Sequence, residues 1–194
     1  MPYERLKTAI LKHVPFSDEE AATFCNAFQP QRYKPKEYLL RAGEICRFEG
    51  FVAQGCLRVF ALDARGGEHV LYFAPEDWWV TDLDSFTNQQ PSWLFVQALE
   101  PSTVLQITKA DKDRLYAALP ATEKLFRIMG QKTLVALQRR MLSALSQTAD
   151  ARYLAFVGKY PALAQRLTQQ QVAAYLGITH EFLSKIRRRL GQKK

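Results

Sequence analysis

Residues 168–190, TQQQVAAYLGITHEFLSKIRRRL, set small and apolar side chains at the spacing of two short helices that cross over a tight turn. Val172, Ala173 and Leu176 share one face of a first helix, and Ala173 is small enough for a second helix to pass close above it. Four residues on, Gly177 stands where the chain must leave that helix, and glycine takes the left-handed conformation needed there without steric cost. Ile178 plugs the turn and Thr179 is placed to cap the next helix. Leu183, Ile186 and Leu190 then form an i, i+3, i+7 stripe against the first helix, leaving His180, Glu181, Ser184, Lys185, Arg187 and Arg188 on the other faces. Such a face is suited to reading duplex DNA. The same spacing also fits a plain helical hairpin in a core, with glycine as an ordinary cap and the basic residues as a solvated face.

Charge distribution weighs toward DNA. Residues 121–194 hold 14 Lys/Arg and 3 Asp/Glu, against 13 and 16 in residues 1–120, within a net charge of +8. The positive excess therefore lies with the helical pair, where phosphate would have to be neutralised. A basic tail also aids solubility, so the segregation supports the reading without deciding it.

With 194 residues, 47% hydrophobic and 12% aromatic, the chain has enough apolar surface for one or two cores and is not a disordered segment. Its N-terminus, MPYERLKTAILKHVPF, lacks the apolar stretch of a signal peptide. Nowhere is there a run of about 18 apolar residues able to span a bilayer, so no membrane partner and a cytoplasmic location are expected. Cys25, Cys46 and Cys56 are too few and too irregular for a disulfide framework, and no C-x-x-C pair points to zinc or an iron–sulfur cluster. They read as buried free thiols, and neither metal nor cofactor is expected.

Along the chain, residues 3–13 and 17–28 read as two short helices, the second capped by Ser17 ahead of Asp18, Glu19 and Glu20. From about 31 to 108 the pattern becomes short apolar or alternating runs between turn residues. Tyr38-Leu39-Leu40, Phe51-Val52-Ala53, Leu57–Leu62, His69–Phe73, Leu94–Leu99 and Thr103–Ile107 are candidate strands, with Asp63-Ala64-Arg65-Gly66-Gly67 a hairpin turn. Seven or eight strands at this spacing predict a barrel or jelly roll. Ala110–Leu119 reads as a helix stopped by Pro120, and Ala121 to about Gln147 as one longer than the usual globular helix. Leu134, Leu137, Met141 and Leu145 stripe its second half, flanked by Lys132, Arg139 and Arg140; the stripe fits a seam against a second copy better than packing on the barrel. A further helix, Ala149–Tyr160, is stopped by Pro161 and leads through a short link to Thr168. The reading is α+β, in three parts: a barrel domain with N-terminal helices at 1–120, a long connecting and dimerisation helix at 121–147, and a helix-turn-helix at 148–194.

That order resembles the Crp/Fnr family of bacterial transcription regulators over nearly the whole chain. The likeness is carried by Gly43-Glu44 after the first strand, Gly55-Cys56-Leu57-Arg58 at a strand turn, Gly66-Gly67-Glu68 at the hairpin, Glu100-Pro101-Ser102 before the last barrel strand, and Leu176-Gly177-Ile178-Thr179-His180-Glu181-Phe182-Leu183-Ser184-Lys185-Ile186. The resemblance implies a cyclic-nucleotide-binding-like barrel, a homodimer joined through the long helix, and two recognition helices on a near-palindromic duplex. RNA polymerase and a small-molecule effector are the further partners it implies. By position, His180, Glu181 and Lys185 match the residues that face base edges, although the family often has arginine where this chain has His180. Glutamate can accept from cytosine, and lysine can donate to guanine. Thr179, with the helix-start amides, suits phosphate. Ser184 completes the DNA-facing set, and Arg187, Arg188, Arg189, Lys193 and Lys194 fit either phosphate contacts or solvated charge.

The chain departs from the family's nucleotide pocket. Val80-Thr81 stands where a Gly-Glu pair would hold ribose, and Ser92-Trp93 where an Arg-Ser/Thr pair would neutralise phosphate. A buried phosphate without its guanidinium is costly, so cyclic nucleotides are not expected to bind. Trp78, Trp79, Phe86, Trp93 and Phe95 make that half of the barrel aromatic, either as interior filling or as the lining of an apolar or planar ligand. Little chain follows Leu190, so the β-wing that often accompanies this reader is expected to be reduced or absent. The competing classes are an adaptor using the same fold without specific DNA binding and a cupin-type enzyme. The second lacks ligands, since only His69 of the three histidines lies in the barrel region, and no nucleophile or phosphate-loop motif is present. The chain is read as not an enzyme.

Overall fold

The computed structural model describes residues 2–191, and Lys193 and Lys194 lie outside them. The chain divides into two compact units, residues 1–61 with 72–131 and residues 62–71 with 132–194, so the boundary falls inside one strand pair and one helix.

In the first unit, α1 (Pro2–Leu11) and α2 (Asp18–Asn26) precede the strands. The start of α2 is fixed by a reciprocal box: the Ser17 hydroxyl accepts from the Glu20 amide at 3.2 Å, and the Glu20 carboxylate accepts from the Ser17 amide at 2.7 Å. Eight strands follow, β1 (Gln29–Tyr33), β2 (Tyr38–Leu40), β3 (Glu49–Gln54), β4 (Leu57–Leu62), β5 (Glu68–Ala74), β6 (Trp79–Val80), β7 (Phe95–Ala98) and β8 (Ser102–Ile107). They form two four-stranded sheets, ordered β1-β8-β3-β6 and β2-β7-β4-β5, the sandwich expected of a jelly roll. After them come α4 (Lys109–Ala118) and the first part of α5 (Ala121–Ser146).

Two cores share the first sheet. Between the sheets lie Leu40, Leu57, Val59, Val96 and Val104, all at most 2% exposed. On the sheet's other face, the helices bury Leu6, Phe24, Phe28, Phe51, Leu105 and Leu125. Strand β3 serves both, Val52 pointing one way and Phe51 and Ala53 the other. That is why its run from Gly50 to Ala53 is continuously apolar instead of alternating.

Two elements depart from the sequence reading. Residues 83–88 form a helix, α3 (Leu83–Asn88), inside what reads as strand territory, capped by Asp82 and closed by Gln89 at φ 51°. Pro161 does not merely end a helix: it occupies the first turn of α7 (Pro161–Arg166), where its missing N–H costs nothing, so the expected link is helical. The second unit also holds α6 (Ala149–Lys159), α8 (Gln169–Leu176) and α9 (His180–Gly191), and among the described residues no strand follows Ile107.

Gly55 ends β3 at φ +91°, and a Cβ there would meet the Pro101 carbonyl at 2.7 Å and the Ser102 hydroxyl. Gly43 has the same φ but open space. Gly55→Ala is therefore expected to destabilise the protein by about 2 kcal/mol more than Gly43→Ala in urea titration. Equal losses would mean that backbone conformation alone sets the cost.

Candidate nucleic-acid interface

A second reciprocal box opens α8. The Thr168 hydroxyl accepts from the Gln171 amide at 3.2 Å, while Gln171 Oε1 accepts from the Thr168 amide at 2.8 Å. Gly177 closes the helix at φ 65°, its N–H and that of Ile178 both donating to the Ala173 carbonyl. The Thr179 hydroxyl takes the Phe182 amide at 3.2 Å and starts α9. Val172, Ala173 and Leu176 are buried on one helix, Leu183 and Ile186 on the other, with Ile178 and Leu190 half-buried. The two helices meet where the spacing places them.

The outer face of α9 exposes His180, Glu181, Lys185, Arg187 and Arg188. Hydrogen bonding to its own backbone amide and to Thr179 holds the Glu181 carboxyl below the usual carboxylate range. It is thus an acceptor at neutral pH, as contact with a cytosine amine requires. Besides Thr179 and Glu181, Ser184 and Arg189 of the sequence-derived set are engaged within the unit. Ser184 is half-buried and donates to Gln169 Oε1 at 3.4 Å, and Arg189 forms an ion pair with Asp150 of α6. A half-exposed pair of this kind is worth at most about 1 kcal/mol, so Arg189 remains able to exchange Asp150 for a phosphate. Phe182, 45% exposed on the same helix, is absent from that set. The spacing rules single out buried apolar positions and exposed polar ones, and an exposed aromatic satisfies neither.

The five barrel aromatics do not come together. Trp79 stands edge-on to Phe28, Phe51 and Phe126, with ring centroids 5.4–5.8 Å apart, in the helix-side core. Phe86 is buried between the sheets. Phe95 stacks on Phe60 at 5.1 Å, Trp78 lies at the surface, and Trp93 is 82% exposed. They fill or border separate places.

The polar groups nearby are bound to one another. Val80 is buried in β6, and the Thr81 hydroxyl donates to the Phe48 carbonyl at 2.9 Å. The buried carboxylate here is Asp82, one residue beyond the pair singled out in the sequence. It accepts from the Ser92 hydroxyl at 2.5 Å and from the Ser85 amide at 3.3 Å. Ser92 also accepts the Leu94 amide at 2.9 Å, and the Ser85 hydroxyl donates to the Gln90 carbonyl at 2.5 Å while accepting the Cys46 amide at 2.9 Å. Among the described residues, no three His, Cys, Asp or Glu side chains converge as metal ligands. Cys25, Cys46 and Cys56 are buried. On α5, Leu134, Leu137, Met141 and Leu145 are 46–77% exposed, joined by Val135 and Leu142.

Ser92→Ala strips a hydrogen bond from Asp82 and an acceptor from Leu94, and is expected to cost roughly 1–3 kcal/mol in urea unfolding. A loss below a few tenths would mean that water replaces the hydroxyl.

Residues 30–118 match the cyclic nucleotide-binding domain family. No curated protein matches the chain by sequence. Among solved structures, the chain is similar to the c-di-GMP-responsive global regulator CLP of Xanthomonas campestris at 16% identity and a TM-score of 0.75, covering 91% of this chain and 93% of that one. It is similar to FixK2 of Bradyrhizobium japonicum at 17% identity and 0.73, covering 86% and 85%. A protein of Eubacterium rectale described as a transcriptional regulator of the Crp/Fnr family matches at 14% identity and 0.70, covering 92% and 85%. Residues 30–118 are therefore similar to the cyclic nucleotide-binding domain family, in a chain with the fold of the Crp/Fnr regulators.

Proposed function

We propose that the chain is a sequence-specific DNA-binding transcription regulator that acts as a homodimer and does not respond to cyclic nucleotides. The observation that carries the reading is the outward face of α9, where His180, Glu181, Lys185, Arg187 and Arg188 are exposed on a helix held by a capped, glycine-closed turn. Donors, an acceptor and phosphate-neutralising charge are thus gathered on one rod of the width a major groove admits. Thr179 and the α9 amides supply phosphate contacts, and Arg189 joins them on leaving Asp150. The three-part organisation, 1–120, 121–147 and 148–194, is kept as the functional division: sensor-like barrel, dimer helix and reader.

Insensitivity to cyclic nucleotides is supported by Asp82 and Ser92. The polar atoms that border the expected pocket are bonded to each other, and no guanidinium stands at Ser92-Trp93. The similar regulator CLP is described as c-di-GMP responsive, and that property is its own. The effector of this chain is left as a small molecule of undetermined class, and RNA polymerase as its transcriptional partner.

The direct test is selection of bound duplexes from a random pool, with a two-fold symmetric consensus expected. Lys185→Ala should then weaken the preferred duplex by roughly 1–3 kcal/mol while leaving random duplex nearly unchanged, because a base-edge donor is removed. Equal losses on both would take Lys185 off the bases and leave it as a phosphate contact.

Dimerisation is assigned to the exposed α5 stripe. Leu134→Glu would bury an unpaired charge in the seam, so sedimentation should report monomers that remain folded. An unchanged dimer would place the interface elsewhere.

A further inference from the structure

Arg140, on α5, joins two elements that are distant in sequence within the second unit. One of its terminal nitrogens, Nη2, donates to the Val70 carbonyl of β5 at 2.7 Å and to the Tyr175 carbonyl of α8 at 2.9 Å. The guanidinium also lies over the Tyr175 ring, 4.2 Å from its centroid, an arrangement attractive to a cation. Both acceptors are of a kind that regular structure leaves unserved. Strand β5 stands at the end of its sheet, where outward carbonyls have no strand to pair with. Tyr175 is in the last turn of α8, whose carbonyls have no partner further along the helix. Two further carbonyls of that turn are treated in a related way. Ala173 takes the Gly177 and Ile178 amides, and Leu176 takes Nη1 of Arg152 from α6 at 2.7 Å.

We propose that Arg140 is a positioning residue for the DNA reader, fixing the end of the first reader helix against the β4–β5 hairpin so that a change in the hairpin alters DNA binding. A planar guanidinium can present hydrogens to two carbonyls and a face to a ring at once, which a lysine ammonium cannot do in the same geometry. The hairpin tip has its own rigid frame. The Asp63 carboxylate accepts the Arg65 and Gly67 amides at 2.8 Å and pairs with His69 Nε2 at 2.9 Å, so Val70 is offered from a fixed turn and not from a loose loop. The inference rests on the DNA-binding reading for its consequence, but the clamp itself is testable without DNA.

Amide hydrogen exchange on the full chain compares the parent with Arg140→Met and Arg140→Lys. Arg140→Met should accelerate exchange in residues 68–71 and 173–178 together, with strand β3 unchanged as a control and Arg140→Lys intermediate. Acceleration confined to one of the two segments, or in neither, overturns the clamp. The second arm uses Gly66→Val, which strains the hairpin turn at φ +79° where a side chain meets nothing else. On the selected duplex it should lower affinity by about fivefold or more with Arg140 present, and by less than about twofold in Arg140→Met, a coupling of ordinary allosteric size. Independent, multiplying losses would make Arg140 merely structural and overturn the proposal. If no duplex is selected, the DNA-binding reading fails, and the exchange result still decides whether the clamp exists.

Discussion

The β3–β8 pair, buried on both faces, is what the first unit is built around. Glu49↔Ile107 through Val52↔Val104 run as one antiparallel ladder before the register shifts at Gln54↔Thr103, one face supplying Val52 and Val104 to the core between the sheets and the other Phe51 and Leu105 to the core under the helices. Two cores sharing a wall cannot be repacked separately. Enlarging Phe51 or trimming Val52 displaces the same backbone, and close-packed interiors transmit such strain. Gly50 shows how little slack there is, since a Cβ on it would meet Val104 Cγ1 at 2.7 Å and Val80 Cγ1 at 3.2 Å. At the edge of this wall, Glu49 is ion-paired to Lys112 of α4, whose ammonium lies 3.9 Å from the Phe126 ring centroid. A buried pair of this kind adds little net stability, but it ties the wall to the first turns of α5 in one geometry.

The second unit relies on different physics. Its helices are short, and α8 has only eight residues, a length unstable alone in water. What holds it is end chemistry: a capping box at the start, a left-handed glycine and two arginine donors at the finish, and an apolar seam with α9 along one side. A helix presented by such a support keeps its orientation without a large core, which suits the open outward face that the proposed DNA reading of α9 needs.

Much of this was legible in the sequence because local rules governed it. Gly177, Thr179 and the Leu183-Ile186 stripe have one comfortable arrangement, and the structure adopts it. The Ser17 box and the Pro120 stop are equally local. The elements that were not legible depend on context. Helix α3 is six residues long and exists because Asp82 caps it and Ser92 holds Asp82, a contact across ten positions. Helix α7 was hidden because proline both stops one helix and starts the next. The aromatic set, read as either interior filling or ligand lining, is spread by the fold. Trp78 precedes β6 and lies at the surface, whereas Trp79, the first residue of β6, enters the helix-side core, so neighbours in sequence part in the fold. The arginines at the end of α8 carry no sequence signature, since their partners are backbone carbonyls.

The closed Asp82–Ser92 pair changes what a small molecule would have to do in this domain. In an open pocket a ligand meets polar atoms that surrender only water. Here Asp82 already accepts from the Ser92 hydroxyl and the Ser85 amide, and an incoming donor that displaces the hydroxyl turns it toward the Leu94 carbonyl, 3.3 Å away. Any affinity measured is the difference between two nearly equivalent sets of bonds, and it is diminished further by the fraction of molecules in which the internal set has opened. The Asp82–Ser92 pair thus sets the exchange of bonds that a ligand at this spot would have to make.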